Sequence, residues 1–361
     1  MAVDGDPGRE HRRQLIAAIE NARHSTVICY VTGDRQNLET QVSHDAHPLL
    51  FRHLRELKPA GRVDLFLYTP GGNTVAGWAL VRLIREFCTE FSVLVPYRAW
   101  SCGTLICLGA DEIVMSRLGQ LGPIDPSTNS PFNPPLPGPM PRTLPVNVED
   151  VAAFIDLAKN EIGLVDQAQL VAILQELGKI SPCAALALGA VHRVRPQIAM
   201  LARGLLQLHM SEQEKDAVDR IVDALAREQA SHDYIIGPTE AHESFGLKVS
   251  PADEEVEALL WDLYVEYESL LELSTPYNAE TLLAQAGGDE LTATLSRAVV
   301  ESRAGCHKYQ TVRTIRRVII GPPQVPIPTP GMQQLDIRES WTQTDWGIVQ
   351  EEVSSDDAEH D

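Results

Sequence analysis

Between Leu65 and Ser127 the chain reads LFLYTPGGNTVAGWALVRLIREFCTEFSVLVPYRAWSCGTLICLGADEIVMSRLGQLGPIDPS, two strand-turn-helix junctions in succession. VDLFLY (63–68) is a short, largely apolar run ending at Pro70-Gly71-Gly72, the pattern of a buried strand entering a tight turn. Asn73 or Thr74 is placed to cap a helix running to about Cys88. FSVLVP is the next strand, YRAW leads into Ser101, Cys102 to Gly109 is a short helix, and EIVMS is a further strand. Strand-helix-strand units this short imply right-handed crossovers and a parallel sheet. Strands that are apolar on both sides imply helices over both faces.

The flanking sequence extends this unit in both directions. REHRRQLIAAIEN (9–21) has helical spacing, TVICYVTG is a buried strand, and Pro48 opens a helix to Leu57 after a polar loop. Nine prolines between Pro123 and Pro145 predict a long extended loop. A helical stretch over 148–228, broken near Gly178 and Ser181, is expected to cap the sheet. Residues 251–273 form an amphipathic helix and 293–320 alternate as a hairpin. The last segment, 321–361, turns proline-rich and then acidic, and reads as an extended arm or flexible tail.

The two turns carry the chemistry. A double glycine between strand and helix frees backbone N–H groups at a helix N-terminus. It is a tight turn at least, and with a partner nucleophile it is an oxyanion hole. The GxGxxG spacing and a Walker lysine are both absent, which sets a nucleotide site aside. Ser101 sits at the second turn, where a hydroxyl projects near the positive end of a short helix. A serine there is more often a helix cap. Its conjunction with Gly71-Gly72, one unit earlier, favours the nucleophile.

Composition narrows the partners. The formal net charge of −20 argues against a nucleic-acid groove, because binding the phosphate backbone needs a surplus of Lys and Arg. Six cysteines without a CxxC pair give no disulfide framework, which fits a reducing compartment. The N-terminus is charged where a signal peptide is apolar, and no apolar stretch reaches the roughly 18–20 residues that span a bilayer. A cytoplasmic protein is expected.

LFLYTPGGN, VLVPYRAWSCGTLICLGADEIVM, LGQLGPIDPS and, more loosely, VEDVAAFIDLAKNEIG and TEAHESFGLKV resemble the serine dehydrogenase proteinase family. These are relatives of signal peptide peptidase A, within the superfamily of the Clp protease subunit and the crotonases. The likeness runs over roughly residues 10–250 and is specific in the first half. It implies an α/β spiral of ββα units, here with a helical insertion and a C-terminal hairpin and arm. It also implies peptide hydrolysis by a serine. Ser101 takes the nucleophile position, and the amides of Gly71, Gly72 and Cys102 form the oxyanion hole, where loss of one donor costs about 2.7–4 kcal/mol in the barrier. On this reading residues 1–250 are the peptidase domain, 251–320 a helix and hairpin making an oligomer contact, and 321–361 the tail. No metal or other cofactor is required.

The resemblance also frames the proton acceptor. Clp subunits place a histidine in the loop after the strand that follows the serine. This chain has Asp125 there, and no histidine between Ser101 and Lys159. Signal peptide peptidases use a lysine from a later helix, and Lys159 matches that position. A lysine acts as base when burial lowers its pKa from about 10.4 towards 7. Phe154, Ile155, Leu157, Ala158 and Ile162 supply apolar neighbours. His232, beside Asp233, is the alternative base.

His44, Asp45 and His47 suggest a metal cluster but lack a fourth ligand, and read as loop and cap residues. Asp125 braces the proline-rich loop. Arg98 and Trp100 either line a substrate groove or pack the turn. Arg303, Arg313, Arg316 and Arg317 make a basic hairpin that reads as a solvated face, with the acidic tail or a neighbouring subunit as other partners. Two further classes stay open: a crotonase-like acyl-CoA enzyme, and a non-catalytic oligomeric scaffold or adaptor of the same fold.

Overall fold

The computed structural model describes residues 6–59, 61–124, 184–227, 234–320 and 329–346, together with 157–164 and short pieces between 127 and 175. Strands β1 (Thr26–Thr32), β2 (Arg62–Tyr68), β3 (Glu90–Val95), β4 (Arg98–Ala99), β5 (Glu112–Met115) and β6 (Gln120–Leu121) come from the first third. Later strands are β7 (Val249–Pro251), β8 (Glu290–Ser302), β9 (Gly305–Ile320) and β10 (Thr329–Trp346). Among the described residues one eight-stranded sheet has the order β7-β5-β3-β2-β1-β8-β9-β10. The part from β7 to β1 is parallel, and β8, β9 and β10 add antiparallel strands beyond β1.

Period-two alternation gives the sheet two cores. Ile28, Tyr30, Leu65 and Leu67 face helices α2 (His47–Leu57), α3 (Thr74–Arg85), α4 (Cys102–Cys107), α5 (Ala184–Leu206) and α6 (Lys215–Arg227). Val27, Cys29, Val31, Phe66 and Tyr68 face the opposite way, onto α1 (Arg9–Arg23) and α7 (Glu254–Leu271). Each fully buried Val, Leu, Ile or Phe side chain contributes about 1.5–3 kcal/mol, so strands apolar on both sides are stable only between two helical layers. The caps match the sequence: the Asn73 side chain accepts from the Ala76 N–H at 2.9 Å, and Pro48 stands in the first turn of α2.

The C-terminal hairpin forms as expected but joins the main sheet. β8 pairs with β1 from Cys29 to Thr32, and Glu301 on β8 is fully buried between Arg9 and Arg12 of α1. The reading of 321–361 as an arm or tail is corrected over Thr329–Trp346, which pairs along β9. Its residues are largely polar, and an edge strand solvated on one side needs little apolar sequence. The hairpin arginines find partners within the chain: Arg303 with Glu20, Arg313 with Asp336 on β10, Arg316 with Gln333 and Arg317 with Asp289. Among the described residues, no helix is long and apolar enough to cross a membrane.

Candidate active site

The carboxyl ends of β2 and β3 carry the two turns into α3 and α4, so consecutive strands of one parallel sheet bring them side by side. Ser101 occupies the cap position of α4 with φ 51 and ψ −108, a left-handed conformation that a non-glycine residue holds at a cost of about 1–3 kcal/mol. Its hydroxyl makes no capping bond. The turn is therefore held open by its surroundings and not by the serine side chain. Strain with an uncommitted hydroxyl is the arrangement of a nucleophile elbow.

Gly71 and Gly72 have φ of 124° and 145°, open to glycine alone. A Cβ on Gly71 would stand 3.0 Å from Ser101 Cβ and 3.4 Å from its Oγ. A Cβ on Gly72 would stand 2.4 Å from the N and 2.5 Å from the O of Val42. That contact belongs to a strap the sequence reading missed. Val42 donates its N–H to Gly71 O and accepts from Asn73 N–H, both at 2.9 Å. The one signal was an apolar residue isolated in a polar loop.

The amides of the corner are not equivalent. Gly71 N–H is taken by Thr69 Oγ1 at 3.0 Å, so it is not a spare donor as the sequence reading supposed. Among the described residues, the N–H groups of Gly72 and Cys102 have no hydrogen-bond partner. Burial, with a smaller opposing hydrogen bond, pushes the Cys102 thiol up to about 12, so it stays neutral. Its sulfur lies 3.2 Å from Asn73 O, and a Cβ on Gly77 would meet it at 2.5 Å, which fixes how closely α3 and α4 approach.

Arg98 and Trp100 pack the turn. The Arg98 guanidinium lies over both the Tyr97 and Trp100 rings, 4.4 and 4.8 Å from their centroids, and pairs with Asp34 at 2.6 Å. Thr104 accepts from Gly122 N–H at 2.9 Å and donates to Ala99 O, tying the segment after β6 to the serine turn. Leu121 and Ile236 exchange backbone bonds there, which brings Tyr234 O to 3.7 Å from a Cβ position on Gly122.

Lys159 lies on the Leu157–Glu161 turn and is exposed, as are Leu157 and Ile162. Among the described residues, no hydrogen bond or ion pair joins it to Ser101, and the expected apolar enclosure is not formed by the described neighbours apart from Ala158, which is buried. The physical reason is that a five-residue turn aims its apolar side chains outward unless another element covers them. His232 and Asp125 lie outside the described residues. His47 donates to Ala76 O at 3.0 Å and Asp45 accepts from Trp341 Nε1 at 2.8 Å, so these two residues brace α3 and β10. Among the described residues, no group of three or more His, Cys, Asp or Glu side chains could hold a metal ion.

Over residues 8–180, the stretch that builds this corner, the chain matches the model of the family described as ClpP-like SDH-type serine proteinases. Two curated relatives are uncharacterised proteins of Methanocaldococcus jannaschii. One is 30% identical over 121 residues, covering 32% of this chain and 42% of its own length. The other is 39% identical over 64 residues, covering 18% and 22%. The chain thus spans less than half the length of the curated relatives it matches. Two similar solved structures are of a membrane-bound stomatin-specific protease. A serine-to-alanine mutant aligns at 15% identity and TM-score 0.35 over 59% of this chain and 75% of that one. A lysine-to-alanine mutant in complex with a substrate peptide aligns at 16% and 0.34 over 59% and 71%. The family match supports a ClpP-like fold.

Proposed function

We propose that this chain is a cytoplasmic serine endopeptidase in which Ser101 attacks the substrate carbonyl. The observation that carries this reading is the strained Ser101 turn, whose hydroxyl has no hydrogen-bond partner among the described residues and stands close to Gly71. The Gly72 and Cys102 amides, both without partners among the described residues, would hold the developing oxyanion. The neutral, buried Cys102 thiol leaves the serine hydroxyl as the reacting group.

In this mechanism Ser101 Oγ bonds to the peptide carbonyl carbon and its proton passes to Lys159 Nζ. The tetrahedral intermediate collapses, the C–N bond breaks, and the leaving amine takes the proton. Water then hydrolyses the acyl-enzyme by the same path in reverse roles. Use of Lys159 requires the Leu157–Glu161 turn to pack over the serine corner, and exposed Leu157 and Ile162 supply apolar surface for that packing. His232 is the alternative base. The division at about residue 250 and the assembly of copies belong to the same proposal, with Trp261 and Val265 exposed one turn apart on α7 as the contact.

A fluorophosphonate probe tests the reading: it should label the wild type at Ser101 and spare Ser101→Ala. The exposed position of Lys159 favours one other reading, a non-catalytic scaffold of this fold. Folded wild-type protein left unlabelled across pH 6–9 would select the scaffold.

A further inference from the structure

The hydrogen bonds around the glycine corner converge on one fully buried residue, Thr69. Its backbone belongs to the serine turn: Thr69 N–H donates to Arg98 O at 2.9 Å, and Thr69 O accepts from Trp100 N–H at 3.1 Å. Its side chain belongs to the glycine turn. Thr69 Oγ1 accepts from Gly71 N–H at 3.0 Å and donates to Gly71 O at 3.1 Å. A third bond comes from behind, where Thr32 Oγ1 donates to Thr69 Oγ1 at 2.6 Å. The Thr69 methyl fills the space beside Gly103, 2.6 Å from where a Cβ there would stand.

A hydroxyl has one proton and two lone pairs, so these three bonds saturate Thr69 Oγ1. Thr32 fills one lone pair and Gly71 N–H the other, which leaves the Thr69 proton only Gly71 O as acceptor. The orientation of the peptide planes on either side of Gly71 is then fixed. Gly71 N–H is turned inward, and the next amide, Gly72 N–H, is left with no hydrogen-bond partner among the described residues.

We infer that Thr69 is a positioning residue for the reaction: its hydroxyl selects which amide of the glycine corner serves the oxyanion and couples that amide to the serine turn. The inference rests on Ser101 acting as the nucleophile. It concerns a group that touches neither substrate nor reacting atoms, so its signature is in kcat and not in binding.

The test compares Thr69→Val, which keeps the shape and the methyl but removes the hydroxyl, with Thr69→Ser, which keeps the hydroxyl. In the full chain, hydrolysis of a quenched-fluorescent peptide library and the rate of fluorophosphonate labelling are measured. The amide exchange of Gly71 and Gly72 is followed in 15N-glycine-labelled protein. The expected result is a kcat lower by about 100-fold in Thr69→Val, a KM within a few-fold of wild type, and rescue to within a few-fold by Thr69→Ser. Gly71 N–H should exchange slowly in wild type and in Thr69→Ser, and quickly in Thr69→Val. An active wild type whose Thr69→Val variant keeps its kcat, or whose Thr69→Ser variant falls as far, overturns the inference. An inactive wild type counts against the peptidase reading instead. The exchange arm then decides alone, and a Gly71 amide as labile as Gly72 in the wild type overturns the role of Thr69. Should Thr69→Val not fold, Thr69→Ser and wild-type exchange give the same decision.

Discussion

The Oγ of Ser101 lies 3.4 Å from the point where a side chain would begin on Gly71. Two turns separated by a whole helix and strand thus leave no room for a side chain at Gly71 without contact with the serine, and each constrains what the other can carry. Gly71→Ala should place a methyl against the serine and force a left-handed φ on alanine, costing about 1–2 kcal/mol. Probe labelling should fall by about 100-fold or more with modest loss of stability. Gly72→Ala should be worse for the fold, because its Cβ meets the Val42 backbone and not a movable side chain. Urea midpoints and labelling rates of the two variants separate these effects.

Lys159 offers a contrast between activity and stability. It is exposed, so Lys159→Ala should leave the thermal midpoint unchanged. A general base contributes about 10²–10⁴-fold, so labelling and hydrolysis should drop by at least about 100-fold. Full activity in this variant would remove Lys159 from the mechanism and leave His232→Ala as the next measurement.

Glu301 ties the C-terminal hairpin to the first helix. It is fully buried, accepting from Arg9 Nη1 at 2.9 Å and from Arg12 Nε at 2.8 Å. Truncating one partner of a buried ion pair costs about 3–5 kcal/mol, because the other charge stays in the interior. Glu301→Ala should therefore lower the urea midpoint of the entire chain in one transition. The exposed Glu10–Arg13 pair is the control, and Glu10→Ala should not shift the midpoint measurably.

Acid should unlock the same region. His53 Nδ1 lies 2.6 Å from Ser302 Oγ, and His53 Nε2 lies 3.1 Å from His307 Nδ1. His307 Nε2 is buried with no hydrogen-bond partner among the described residues. Burial holds His53 down to about 3, with His307, Arg9 and Arg52 adding to it, and holds His307 down to about 4, with Arg52 adding to it. Both groups bind protons more readily when unfolded, where the pKa is about 6.5. Their stabilisation is therefore complete above about pH 6.5 and is lost as pH falls towards 4 and 3. The slope is at most about 1.4 kcal/mol per pH unit for each group. Urea titrations at pH 7 and pH 5 should show this loss, and His307→Gln should flatten it. An unchanged midpoint between the two pH values would show that the pair is not buried neutral.

Local pattern was enough for much of this protein. Alternating and continuous apolar runs placed the parallel strands and their two helical layers, because side-chain period and burial on both faces are properties of sequence. Asn73 and Pro48 marked helix starts for reasons internal to one turn, and PGG with WSCG placed the glycine corner and Ser101. Other features depended on residues distant in sequence. β10 was unreadable because an edge strand is polar and its partner, β9, supplies the order. The Val42 strap and the Thr69 hydroxyl decide which corner amides are free, and their partners come from separate elements of the fold. Whether Ser101 spends its hydroxyl on a cap is likewise set by the tertiary turn. The sequence alone determined the fold class and the two turns. Only the tertiary structure decided that Gly71 N–H is engaged while, among the described residues, those of Gly72 and Cys102 are not, because hydrogen-bond satisfaction depends on what lies across the corner.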